Sequence, residues 1–146
     1  MQYYKIYNKD DQMTSKENKE IVRHIYEEVS KGNHQAFIDA VTEDFTFTLI
    51  GTTPFSGTFK GVQEMFEKSM GPVMSALETQ PRLVVDRIIA DGDYVVVIDH
   101  GEGGVTKKGE NYNNTYCNVI RLQDGKIAEI TEYCDTALVN LLLHKD

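Results

Sequence analysis

Cysteine is scarce in this sequence: Cys117 and Cys134 are the only two in 146 residues. Two thiols do not make a disulfide framework, and they read as small apolar side chains. The four histidines, His24, His34, His100 and His144, are scattered, with no Cys/His spacing that suits zinc. No metal or organic cofactor is expected. Basic residues are outnumbered 15 to 23, leaving a formal net charge of −8. No basic stripe interrupts that balance, so nucleic acid is not an expected partner. No apolar run approaches the length that spans a bilayer, and Met1–Gln12 lacks the apolar stretch of a signal peptide. The expectation is a cytoplasmic protein without a membrane partner. Repeats and low-complexity tracts are also missing.

What remains is a chain that is 40% apolar, long enough for one domain with a real core. Residues 1–13 read as a poorly ordered N-terminal extension and residues 14–146 as the domain. Thr14-Ser15-Lys16-Glu17 has the form of a capping box. Behind it Ile21, Val22, Ile25, Tyr26 and Val29 recur at helical spacing until Lys31-Gly32 stops the helix. A shorter helix follows, capped by Asn33 and carrying Phe37, Ile38 and Val41. Phe45-Thr46-Phe47-Thr48-Leu49 alternates as a strand. Gly51–Gly61 reads as a loop; its glycines lack the spacing and the Lys-Ser/Thr ending of a phosphate loop. A third helical pattern runs from Val62 to about Leu77, with a kink or split expected at Gly71-Pro72. Its methionines fit either core filling or a cavity wall. Strands resume at Arg82–Ile89, Tyr94–Gly103, Tyr112–Leu122 and Ile127–Tyr133, and Thr136 begins a short terminal helix. The order indicates an α+β domain with helices on one face of a curved, mostly antiparallel sheet.

Two hairpins set the expected site. Asp124-Gly125 suits a two-residue type I′ turn, which needs positive φ at both central residues. Gln123 then pairs with Lys126, and counting outward puts Tyr116 opposite Tyr133, Asn114 opposite Asp135 and Cys117 opposite Glu132. The preceding hairpin contains Lys107-Lys108-Gly109. A three-residue loop there, with Gly109 left-handed, places Glu102 opposite Asn114 and His100 opposite Tyr116. A two-residue loop turns His100 and Glu102 to the outer face, because a slip of one residue reverses every side chain.

Further landmarks carry a resemblance. Ile25-Tyr26 precedes Lys31-Gly32-Asn33; Thr42-Glu43-Asp44-Phe45 follows; Gly51 and Pro54 lead to Ser56-Gly57-Thr58-Phe59-Lys60-Gly61. Asn114-Thr115-Tyr116 and Asp124-Gly125-Lys126-Ile127 lead into Glu132-Tyr133-Cys134-Asp135. From Thr14 onward the chain resembles the SnoaL-like polyketide-cyclase group of the NTF2-like superfamily, which also holds ketosteroid isomerases and limonene-epoxide hydrolases. The resemblance implies a cone in which a bent sheet wraps around helices and leaves a deep apolar pocket; homodimers are common in the group. It also implies an acid near the C-terminal strand, a position Asp135 fits. The chain departs from ketosteroid isomerases, whose base would fall in Thr48-Leu49-Ile50, where no acid stands, and whose first-helix tyrosine falls on Ile25, one position from Tyr26. His100-Gly101-Glu102 with Asp135 is similar to the epoxide-hydrolase spacing, with His in place of Arg.

Each candidate has two readings. Asp135, desolvated at a pocket rim, suits a general base; equally, Asp135-Thr136 is a helix-capping pair. His100 is a proton carrier near neutral pH or a hydrogen-bonded structural residue. Tyr116 and Tyr133 are donors to a developing oxyanion or a cross-strand aromatic pair. Asn114 and Asn118 need partners wherever they are buried. Tyr26, Phe47, Phe66, Val96 and Ile98 are expected to line the apolar interior near Tyr116, with Glu102 beside it. Glu132 is expected on the outer face with Cys117, Val119, Arg121, Ile130 and Cys134, the surface through which a homodimer would pack. Two functions fit: cofactor-free acid–base isomerisation, cyclisation or hydration of a small apolar oxygen-containing molecule, or a noncatalytic ligand-binding or dimerisation module.

Overall fold

The structure is a computed structural model that describes residues 13–143; the expected N-terminal extension, apart from Met13, and His144 lie outside the described residues. Ser15–Ser30 forms α1. The Thr14 hydroxyl accepts from the Glu17 N–H at 3.1 Å while the Glu17 carboxylate accepts from the Thr14 N–H at 2.8 Å. This reciprocal pair satisfies two of the N–H groups a helix start leaves open. Gly32, at φ +92, ends the helix. Gln35–Asp39 (α2) has His34 rather than Asn33 at its N-cap. The Asn33 amide donates instead to Glu28, and Val41 belongs to the following strand.

The strands are Val41–Leu49 (β1), Gly57–Lys60 (β2), Leu77–Thr79 (β3), Arg82–Asp91 (β4), Tyr94–Glu102 (β5), Val105–Thr106 (β6), Thr115–Gln123 (β7) and Lys126–Cys134 (β8). Six of them form a curved sheet in the order β2-β1-β8-β7-β5-β4, and β3 pairs with β6 in a separate two-stranded ribbon. All pairings are antiparallel except β1 with β8. Thus part of the expected loop after Gly51 is the edge strand β2.

Between β2 and β3 the chain runs as Gly61–Met65 (α3), a π-helical turn Phe66–Met70 and Gly71–Ser75 (α4). The split expected at Gly71-Pro72 is real and takes this form. Pro72 has no N–H to continue the helical ladder, and the Gly71 N–H bonds the Phe66 carbonyl across five residues. A Cβ on Gly71 would stand 2.4 Å from that carbonyl oxygen, so glycine is required there. The chain closes with Thr136–Val139 (α5) and a 3₁₀ turn at Asn140–Leu143.

Helices fill the concave side. Val22 and Ile25 of α1 pack against Phe45, Phe47 and Leu49 of β1, Val95 and Val97 of β5, Ile120 and Leu122 of β7 and Ile127 of β8. Burial of these side chains is the main stabilising contribution, about 1.5–3 kcal/mol for each fully enclosed aliphatic or aromatic group.

Asp124 at φ +50 and Gly125 at φ +77 form the expected turn, and Gln123 pairs with Lys126. Two residues on, the register departs from expectation. Leu122 pairs with Ile127 but Arg121 pairs with Glu129, so Ala128 is an extra residue in β8. Beyond this bulge Tyr116 faces Cys134, not Tyr133, and Cys117 faces Tyr133, not Glu132. The β5–β7 register also shifts: Asp99 faces Tyr116 and His100 faces Thr115. No tight hairpin joins these strands. Residues 103–114 make an excursion in which β6 reaches β3, although Gly109 does take the left-handed conformation, φ +83, at its tip.

Candidate active site

Both register shifts decide what faces the concave interior. One inner row runs Leu49–Glu132–Asn118–Val97 across β1, β8, β7 and β5. The next runs Cys134–Tyr116–Asp99. Tyr26 enters from α1, and Tyr112, buried at the end of the 103–114 excursion, comes from the side. Two carboxyls, Asp99 and Glu132, are thereby gathered with the phenols of Tyr26, Tyr112 and Tyr116 and the amide of Asn118.

Asp99 is only 1% exposed. Its Oδ1 accepts a 3.2 Å hydrogen bond from Asn118 Nδ2, and the same amide side chain partly offsets the effect of burial on the Tyr26 hydroxyl. Desolvation pushes the Asp99 carboxyl up to about 7, opposed by the Asn118 donor. Desolvation likewise raises Glu132, to about 8, and the neighbouring Asp99 charge adds to the effect. No side chain among the described residues hydrogen-bonds the Glu132 carboxyl, and no cationic side chain lowers its pKa. Two acids so placed cannot both ionise cheaply. The phenols respond to the same environment. Burial raises Tyr26 and Tyr116 well above their ordinary range and Tyr112 to about 12, and the Glu132 charge raises all three further. Each phenol is therefore a neutral O–H donor. Cys134 is pushed up to about 12, mainly by burial, and is an inert thiol. Tyr26, Tyr116 and Glu132 keep part of their surface accessible although they face the helices.

The expected site residues divide between the two sides of the sheet. Tyr116, Asn118, Tyr26 and Phe47 do lie on the interior side, and Phe66 packs against the same core. Asn114 is 1% exposed but serves the backbone: its Oδ1 accepts from the Asp135 N–H and its Nδ2 donates to the Asp135 carbonyl, both at 3.0 Å. Asp135 itself is exposed and caps α5, accepting from the Ala137 N–H at 3.0 Å. Its capping reading is the one the geometry expresses.

His100, Glu102, Val96, Ile98 and Tyr133 fall on the outer face instead. β5 presents Val95, Val97 and Asp99 inward, so the alternate residues point out. Correspondingly, Glu132, Ile130 and Cys134 are inside, opposite to expectation, because the Ala128 bulge reverses the faces of the distal half of β8. Sequence reasoning missed Asp99 and Tyr112. The available signal for Asp99 was a lone acid closing the apolar run Tyr94–Ile98. Two surface concavities lie elsewhere: about 150 Å³ bordered by Asn18, Asp93 and Arg121, and about 540 Å³ bordered by Ile21, Ile25 and Ala40.

A bent six-stranded sheet closing over helices, with polar groups gathered on its concave side, defines the NTF2-like cone. The chain belongs to the SnoaL-like domain family, whose profile matches residues 22–130. Solved structures agree on the fold. An NTF2-like protein from Burkholderia thailandensis E264 superposes with a TM-score of 0.77 at 19% identity, over 91% of this chain and 100% of that one. A protein designated a SnoaL-like polyketide cyclase, from Jannaschia sp. CCS1, gives 0.70 at 17% identity over 95% and 100%. TerC, co-crystallised with polyporic acid, gives 0.74 at 20% identity over 88% and 99%. A comparison with curated proteins finds no significant match. Among the described residues no helix is long and apolar enough to cross a membrane.

The buried acids fix the sign of a pH effect. An acid whose folded pKa is raised binds more protons folded than unfolded. Its favourable contribution is complete below the unfolded value, about 4.3 for Glu, and is lost as pH rises to about 8, the folded value of Glu132. Glu132→Gln removes that loss. The variant should gain stability relative to the parent between pH 5 and 8 in urea denaturation; a difference that stays constant with pH would contradict the placement of Glu132.

Proposed function

We propose that the protein binds a small, largely apolar molecule bearing an oxygen function on the concave side of the cone and moves a proton on it by acid–base chemistry without a cofactor. The observation that carries this reading is the Asp99–Glu132 pair, two interior acids with raised pKa values. Near neutral pH such a pair holds about one proton between its members. The Asn118 amide donates to Asp99 and favours its ionised form, so Asp99 is the proton acceptor. Glu132 has no such donor and keeps the proton, which makes it the acid. Tyr26 and Tyr116, neutral and partly accessible, supply O–H donors for a developing oxygen charge. The partial accessibility of Tyr26, Tyr116 and Glu132 supports an opening between sheet and helices at this point. Isomerisation, cyclisation and hydration all use these parts. Asp135 and His100, expected from sequence to act directly, do not join this interior group: Asp135 caps α5 and His100 lies on the outer face.

Proton transfer at carbon has a direct readout. In D₂O the protein should catalyse hydrogen–deuterium exchange next to the carbonyl of at least one member of a panel of neutral cyclic ketones and 1,3-diketones, followed by NMR. Asp99→Asn should reduce the exchange by about 10²–10⁴-fold. Ligand-induced thermal stabilisation without exchange, equal in parent and variant, would instead establish the noncatalytic binding module.

The outer sheet face supports self-association. Ile89 and Tyr133 are each 49% exposed, and Val96, Ile98, Cys117 and Val119 beside them are half-buried. A patch of this character is costly to leave in water, and we propose that a second copy of the chain covers it. Its membership differs from the expected one, since Ile130, Cys134 and Glu132 face inward. Light scattering should give a dimer, and Ile98→Asp should give a folded monomer. A parent protein that stays monomeric at high micromolar concentration would refute the assembly.

A further inference from the structure

β5 carries charge on both faces at one point. Asp99 faces the interior, and the next residue, His100, alternates to the outer face. There its Nδ1 lies 2.7 Å from Oδ2 of Asp86 and its Nε2 lies 3.2 Å from Oε1 of Glu102. A neutral imidazole has a single N–H and can donate to one of these carboxylates only; both bonds together need the imidazolium. The geometry thus holds the charged ring, and the two hydrogen bonds, the one to Asp86 first, raise its pKa.

The other charged groups complete a chain. Arg82 of β4 places Nη2 2.6 Å from Oε2 of Glu102 and favours the ionised form of that carboxylate. Across the strands His100 faces Val84 of β4 and Thr115 of β7, neither of which titrates. Arg82, Glu102, His100 and Asp86 therefore alternate in sign and cancel while the ring is protonated. Loss of its proton leaves one uncompensated negative charge. Asp86 is itself the extra residue of a bulge in β4, between the pairs Val85–Asp99 and Arg87–Ile98, so its carboxylate is set close behind Asp99. Its charge raises Asp99, whereas that of His100 lowers it.

We propose that His100 is a positioning residue for the interior acid, its imidazolium clamped between Asp86 and Glu102 so as to offset the outer carboxylates and keep Asp99 able to ionise from the opposite face of β5. The proposal rests on the reading of Asp99 as the proton acceptor. With the ring neutral, Asp86 acts unopposed and Asp99 keeps its proton to higher pH. Linkage makes the effect mutual: an ionised Asp99 favours the protonated ring to the same extent. The outer network thereby sets the pH range over which the interior site has a base.

Carboxyl ¹³C NMR of Asp99 and ring ¹H NMR of His100, each followed through a pH titration, test this. Relative to the parent, His100→Gln should raise the Asp99 midpoint by about half a pH unit or more, the size expected for a charge removed one residue away across a thin sheet. Adding Asp86→Asn to that variant should bring the midpoint back down. In Asp99→Asn the His100 midpoint should fall, a readout that does not depend on His100→Gln folding. An Asp99 midpoint near neutrality that is the same in the parent and in His100→Gln overturns the positioning role and leaves the acid pair standing. Titration of Asp99 in the ordinary carboxylate range in every variant overturns both.

Discussion

Ala128, the extra residue in β8, decides which of two chemically different faces the C-terminal strand turns to the interior. With a regular ladder, Tyr133 would point to the concave side and Glu132 to the outside. The bulge adds one residue and so reverses every side chain beyond it. Ile127 and Ala128 are both buried at the bulge, and their enclosure fixes it in place. Glu132 then enters the same inner row as Asn118 and comes within electrostatic reach of Asp99. A buried carboxyl without a cationic partner is expensive in its charged form. The cone therefore holds a pair of acids that resist ionisation, and the phenols around them are neutral for the same reason.

Much of the fold was legible because local chemistry leaves few options. Asp124-Gly125 meets the conformational demand of its turn, Thr14 and Glu17 cap α1 reciprocally, and the break at Gly71-Pro72 follows from a missing N–H. The candidate site was less legible. Tyr94–Ile98 is apolar at every position, so its periodicity could not say which alternate residues point inward, and the choice rested on counting outward from turns. Those counts failed at Ala128, whose type gives no sign of a bulge, and at the 103–114 excursion, which leaves the sheet to form the β3–β6 ribbon. Residue types alone made His100 and Asp135 attractive. Both prove to be held by local partners, the one by two carboxylates and the other by the N–H of the helix it caps.

The interior polar groups differ in how firmly they are held, and that difference separates their roles. Asp99 is tied to Asn118, so one amide on β7 holds the carboxyl of β5. Asn114 is spent on the backbone of Asp135 and fixes the start of α5 beneath the same region. The Glu132 carboxyl accepts no hydrogen bond from a side chain among the described residues. A scaffold group is fully satisfied in the absence of ligand; a group left with a raised pKa and an open hydrogen-bonding site marks where a ligand would meet the protein.

The central claim is that these two carboxyls sit together, desolvated, inside the cone. A carboxyl ¹³C NMR titration of the unmodified protein, with Asp99 and Glu132 assigned, measures it directly. The account predicts two coupled steps at and above neutrality, near 7 and 8, each broader than the titration of an isolated acid. Two independent steps near pH 4, the range of a solvated carboxylate, would contradict it.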